Sequence, residues 1–91
     1  MNAVIWAAKR VREEMTDAMT YAKKAIEFKD SMPELAAVME ALSAQEFEHA
    51  NKIYNSIKSG DGKEVLEYEY DFLKDEEYKL RELWEDYKEK D

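Results

Sequence analysis

Residues 44–54 read Ala44-Gln45-Glu46-Phe47-Glu48-His49-Ala50-Asn51-Lys52-Ile53-Tyr54 and hold the one histidine of a 91-residue chain. A glutamate stands three residues before that histidine. On a helix, residues three apart share a face, with Cβ atoms roughly 5–6 Å apart, so Glu46 and His49 can reach one metal ion together. The spacing alone is weak evidence in a chain with 15 glutamates. Position strengthens it. Leu35, Val38 and Leu42 before the pair, with Ile53 and Ile57 after it, recur at the intervals of a helical face. Glu46 and His49 continue that stripe. Glu48 falls instead with Gln45, Asn51, Lys52 and Asn55, a polar face. The pattern predicts a helix from Met32 to Lys58.

Two more helices flank it. Val4, Ala8, Val11, Met15, Ala18, Ala22 and Ile26 predict one from Asn2 to Lys29. The break after it is Asp30-Ser31-Met32-Pro33, where Ser31 and Glu34 read as a capping box and Pro33 suits a first helical turn. The second break is Ser59-Gly60-Asp61-Gly62. There Gly60 can serve as a left-handed C-cap, and Asp61 with Glu64 repeats the capping pattern. A third helix follows from Lys63 to Lys88, with Leu66, Tyr70, Leu73, Leu80, Trp84 and Tyr87 as its stripe. At about 1.5 Å per residue the first two helices are each roughly 40 Å long, and their short connection predicts antiparallel packing as a hairpin.

Composition narrows the function. The chain is long enough for one small domain, expected as a hairpin over residues 1–59 and an acidic C-terminal helix over residues 60–91. It has no cysteine, which excludes thiol nucleophiles, zinc ribbons and iron–sulfur clusters. Without disulfides a chain this short gains from a bound metal or from oligomerisation. The net charge is -8, the wrong sign for nucleic acid and the right one for cations. Residues 1–59 carry 8 basic and 9 acidic groups, and residues 60–91 carry 6 and 13, so the third helix holds nearly all of the excess. Two glycines and one proline are too few for a sandwich or barrel. The longest early apolar run, Ala3 to Ala8, is far short of the ~18 residues of a membrane span, and no basic residue precedes it as in a secretory leader. The expected location is the cytoplasm.

The first helix carries an anomaly matching the second. Ala7, Val11, Ala18, Tyr21, Ala25 and Phe28 form an apolar stripe, and Glu14 lies within it. Glu13 falls with Arg10, Thr16, Asp17 and Thr20. A carboxylate on an apolar face costs several kcal/mol as a rough scale unless paired or metal-bound. In an antiparallel hairpin Glu14 lies about as far before the turn as Glu46 lies after it, so the two carboxylates stand level. Glu14, Glu46 and His49 are therefore the candidate metal ligands. Glu77, between Leu73 and Leu80, is a weaker candidate for a further or entry ligand.

Glu14, with Glu46-x-x-His49 further on, resembles one half of a ferritin-like di-iron carboxylate site, as in rubrerythrin, bacterioferritin and encapsulated ferritin. The stretch 44–54 is similar to the rubrerythrin second-helix pattern, and Glu14-x-x-Asp17-Ala18-x-x-Tyr21-Ala22 to the first-helix pattern of small ferritin-like proteins. These motifs cover roughly residues 10–58. The resemblance implies an all-α fold, a di-iron cofactor and a tyrosine beside the metals, a place Tyr21 fits as a donor or radical quencher. The full family site needs four Glu and two His on four helices, and this chain supplies half. The expectation is thus a homodimer, or a higher even-numbered oligomer, closing a four-helix bundle around irons shared between two chains. Manganese and zinc accept the same ligands. The implied activity is oxidation of Fe(II) by dioxygen or peroxide. The alternative of a different class is a non-catalytic helical interaction or assembly module, phage-encoded ones included, with structural metal or none.

Overall fold

A computed structural model describes residues 2–57 and 63–89, with side chains for 2–57 and 69–89. Three helices make up the described residues, with no strand among them: α1 (Ala3–Phe28), α2 (Pro33–Ile57) and α3 (Lys63–Lys88). No described helix is long and apolar enough to cross a membrane. Asn2 caps α1, its side-chain oxygen accepting from the Val4 N–H at 2.8 Å. That bond satisfies one of the first-turn donors that a helix leaves without an internal partner. Pro33 is the first residue of α2, where its missing N–H costs nothing. Ser31 therefore lies one residue too early to cap, and the Ser31–Glu34 capping box is not formed as expected. Glu34 does sit in the first turn of α2, where its charge suits the helix dipole. The Ser59–Gly62 break, with the capping roles of Gly60 and Asp61, lies outside the described residues, as does the Leu66 side chain.

Hydrogen bonds and ring contacts fix the topology. α1 and α2 are antiparallel, and the Ser43 hydroxyl donates to the Ala18 carbonyl at 2.7 Å. α3 runs parallel to α1. Arg12 meets Glu69 near the start of both helices, and the Lys29 ammonium donates to the Glu89 carbonyl near their ends. Against α2, α3 is antiparallel: Tyr54 packs on Tyr70 with ring centroids 6.4 Å apart, and Phe47 meets Trp84 edge-on at 5.6 Å. The core is Val11, Met15, Ala18, Ala22, Ala50, Leu73 and Leu80.

The buried face of α2 is not the stripe that its large residues suggest. Ala36, Ser43 and Ala50, seven apart, are its buried positions, and they meet the alanine-rich side of α1. Small residues let the two backbones approach, so the bulkier side chains sit off the contact line. Leu35, Leu42, Ile53 and Ile57 are only half-buried, and Val38 is 52% exposed. On the other side α3 fills the groove with Leu73, Leu80 and Trp84. Of its expected stripe, Tyr70 is instead exposed.

One hydrogen-bonded chain ties the three helices together. The Trp84 indole N–H donates to Ser43 Oγ at 2.9 Å, and Ser43 in turn donates to Ala18. Ser43→Ala removes the acceptor and strands a half-buried indole N–H, a cost of about 1–3 kcal/mol. At roughly 4–8 °C per kcal/mol for a domain of this size, thermal unfolding of the variant should show a clear drop in Tm with helix content retained.

Candidate metal centre

Glu14 is 4% exposed, although its side chain ends in a carboxyl group. One of its oxygens, Oε1, lies 2.9 Å from Arg10 Nη2. The other, Oε2, is buried with no hydrogen-bond partner. His49 Nδ1 stands 3.7 Å from that oxygen and 3.9 Å from Glu46 Oε1. One ligand atom from each of Glu14, Glu46 and His49 can be chosen so that all lie within 4.8 Å of one another. Bonds of about 2.0–2.2 Å would put any two ligands of one ion within about 4.4 Å. The three side chains need to close by less than 1 Å to meet that limit, a rotamer adjustment. A lone buried carboxylate oxygen costs about 1–3 kcal/mol or more when nothing donates to it. The orphaned Oε2, facing an imidazole nitrogen and a second carboxylate, is what a cation would satisfy. Two carboxylates and an imidazole are a donor set that iron, manganese and zinc accept.

The fold explains how the three residues meet. The Ser43–Ala18 bond fixes the α1–α2 register next to the site: Ala18 is one turn after Glu14, and Ser43 is three residues before Glu46. Glu46 is half-buried and His49 more exposed, so the group opens to one side of the hairpin. By helical spacing the half-buried Leu35, Leu42, Ile53 and Ile57 fall on the same face of α2 as Glu46 and His49. Tyr21 is half-buried, two turns after Glu14 on the same face of α1. Glu77 stands apart, held by Arg81 Nη2 at 2.9 Å and Lys74 at 3.4 Å. It is not among the convergent ligands.

Two features of this electrostatic landscape went unread in the sequence. Arg10, grouped there with the polar face, reaches into the site. Glu69 is 5% exposed, pairs with Arg12 Nε at 3.0 Å, and leaves its own Oε2 without a partner. The Arg12 guanidinium also lies 4.2 Å over the Phe72 ring. The signal for Glu69 was present: it falls four residues before Leu73, on that leucine's face, as Glu14 falls within an apolar stripe.

Glu40 on α2 has a buried oxygen without a partner as well. Burial pushes its carboxyl above the ordinary 4.5, and the nearby Lys88 charge opposes that rise. A folded-state pKa above the unfolded one means that the native state holds the proton more tightly. Stability then falls as pH rises from about 4.5 through the raised value. Glu40→Gln should therefore stabilise the protein at pH 7, with the gain shrinking toward pH 4. Urea midpoints at the two pH values check it, and an equal gain at both would contradict the assignment.

Three helices with two carboxylates and an imidazole gathered inside one hairpin define a ferritin-like protein of the carboxylate–histidine kind. The chain belongs to the rubrerythrin family, whose model matches residues 8–90; this is a ferritin-like di-iron family. The match runs through α3, well beyond the 10–58 stretch that carries the motifs. No curated protein and no solved structure matches the chain significantly.

Proposed function

We propose that the chain is one half of a di-iron centre, completed by a second copy, and that the dimer oxidises ferrous iron. The observation that carries this reading is the buried, unpartnered Glu14 Oε2, converging with Glu46 and His49 on an open face. Each chain offers two Glu and one His, and the four-helix form of such a site uses twice that number. A two-fold axis through the open face brings the two sets together isologously. The half-buried Leu35, Leu42, Ile53 and Ile57 and the exposed Val38 flank the ligands, and a partner would remove them from water at about 25 cal/mol per Å² of apolar surface. Four carboxylates then balance the charge of two ferrous ions.

Glu14, Glu46 and His49, with their copies from the second chain, would hold the two ions. Ferrous iron held there would supply one electron per ion to the oxidant, so that a hydrogen peroxide taking two electrons and two protons would leave as two waters. The chain's residues do the rest. Glu14 and Glu46 hold the charge in place, His49 gives a neutral donor through the nitrogen facing both carboxylates, and the apolar flank keeps bulk water away. Tyr21 is placed to donate a proton or an electron from its hydroxyl. The acidic α3 raises the local concentration of cations.

Metal should also hold the fold together. Free ion at about 100 times its Kd adds roughly 2.7 kcal/mol if only the folded state binds it. Ferrous iron, added without oxygen, is expected to raise Tm clearly, and a chelator should reverse the rise. The activity test is the consumption of Fe(II) by peroxide at two irons per peroxide, in the wild-type protein and in His49→Ala. Loss of turnover in the variant supports the reading. Equal rates in both, or none above the uncatalysed rate in either, would leave Glu14, Glu46 and His49 as a self-satisfied polar group in an assembly module.

A further inference from the structure

We propose that Arg10 is the positioning residue of this site: it holds Glu14 by Oε1 so that Oε2 alone is offered to the metal. The inference rests on the metal-binding reading above. Arg10 uses both arms of its guanidinium. Nη1 is 2.8 Å from Glu13 Oε2, and Nη2 is 2.9 Å from Glu14 Oε1. The planar fork is anchored at one end by a half-exposed carboxylate and presses on a buried one at the other. With Oε1 held in that ion pair, the Glu14 carboxylate cannot turn without losing the contact to the guanidinium. Its remaining oxygen is buried, has no hydrogen-bond partner, and stands 3.7 Å from His49 Nδ1. Glu14 is thereby set as a one-oxygen ligand whose direction is fixed before any ion arrives. Metal-ligating carboxylates are commonly oriented by outer polar partners of this kind.

Removing Arg10 has two opposed effects on a cation. The lost orientation weakens binding, while the lost positive charge strengthens it. The structure favours the first. Arg10 shares its single positive charge between Glu13 and Glu14, so the three groups together keep a net negative charge that attracts the metal. Lysine cannot replace this clamp fully, because its ammonium is a point charge on a flexible stem without the rigid fork.

The test is Mn(II) binding, by calorimetry, to the wild-type protein, Arg10→Met and Arg10→Lys, with helix content and solution mass measured on each. Arg10→Met is expected to bind Mn(II) roughly 10–100-fold more weakly, the usual cost of losing an outer partner of a metal ligand. Arg10→Lys should recover part of that loss. A purely structural role would lower stability in both variants without this graded loss of affinity. Arg10→Met binding as tightly as wild type, or more tightly, overturns the clamp and leaves the site standing. Should Arg10→Met fail to fold, Arg10→Lys decides, and wild-type affinity in that variant overturns the proposal. Wild-type protein that binds neither Mn(II) nor Fe(II) would overturn the site itself, a distinguishable result.

Discussion

Glu14→Met is expected to make the metal-free protein more stable while abolishing its metal binding. Glu14 is an ionised side chain kept out of water inside an alanine-lined helix contact. Its compensation is one ion pair to a half-exposed arginine, and one of its oxygens has no partner. Replacing a buried ion pair with an apolar residue of similar volume is often neutral or stabilising by roughly 1–4 kcal/mol. Methionine is close to glutamate in size and adapts to the space. Arg10 keeps Glu13 as a partner when Glu14 is gone, so no charge is stranded. We expect a gain of about 1–2 kcal/mol, at the low end because Arg10 already offsets part of the cost. Denaturant unfolding of the chelated protein and metal titration of the same sample read the two effects side by side. A chelated variant destabilised by several kcal/mol would instead mean that Glu14, Arg10 and His49 form a structural network with no need of an ion. The trade is the usual one at functional sites, where a local arrangement is kept despite its cost to the fold.

Trp84→Ala should have the largest effect on stability. The indole packs edge-on against Phe47 and against the cluster that includes Leu80, and its N–H holds the α2 serine that fixes the hairpin register. Truncating a large core aromatic costs about 3–5 kcal/mol, against a total of roughly 5–15 kcal/mol for a domain, and a chain this short sits toward the low end. Trp84→Phe separates packing from hydrogen bonding. It keeps a ring beside Phe47, and Ser43 keeps its bond to Ala18, so the loss should be about 1 kcal/mol. Equal losses in the two variants would mean that the N–H, and not the ring, fastens α3 to the hairpin. Among the described residues, the ion pairs of Glu14, Glu46 and His49 lie within α1 and α2, so metal added to Trp84→Phe should bind with unchanged affinity.

Much of the fold was legible because it rests on patterns of period 3.6. The three helices end within a residue or two of where their apolar stripes end. The level placement of Glu14 and Glu46 followed from counting residues on either side of one turn, and the structure brings both carboxylates to His49. What the sequence concealed has a common cause. Hydrophobicity ranks Leu35, Val38 and Leu42 above Ala36 and Ser43 as core, yet close helix contact selects for small side chains. The stripe of large residues therefore lies beside the contact, where it faces outward around the ligands. Ser43 drew no reading from the sequence, and only its two partners, each on a different helix, reveal it as the register pin. Arg10 was hidden by its length: a wheel assigns it to the polar face, but the side chain reaches a residue four positions on. Glu69 shows the reverse, a buried acid satisfied in part by Arg12, which warns that an inward glutamate alone does not make a metal ligand. What distinguishes Glu14 is the convergence of a second carboxylate and an imidazole on its free oxygen.

The central claim is a metal centre built from two half-sites, and one measurement tests it most directly: iron per chain after anaerobic loading with Fe(II), with solution mass determined on the same sample. The account predicts one iron per chain in a dimer or a larger even-numbered assembly, with both the iron and the added stability lost in Glu46→Ala. Iron at background level in a protein of any mass would contradict it, and so would one tightly held iron in a monomer, since a lone chain would then complete the site without a partner.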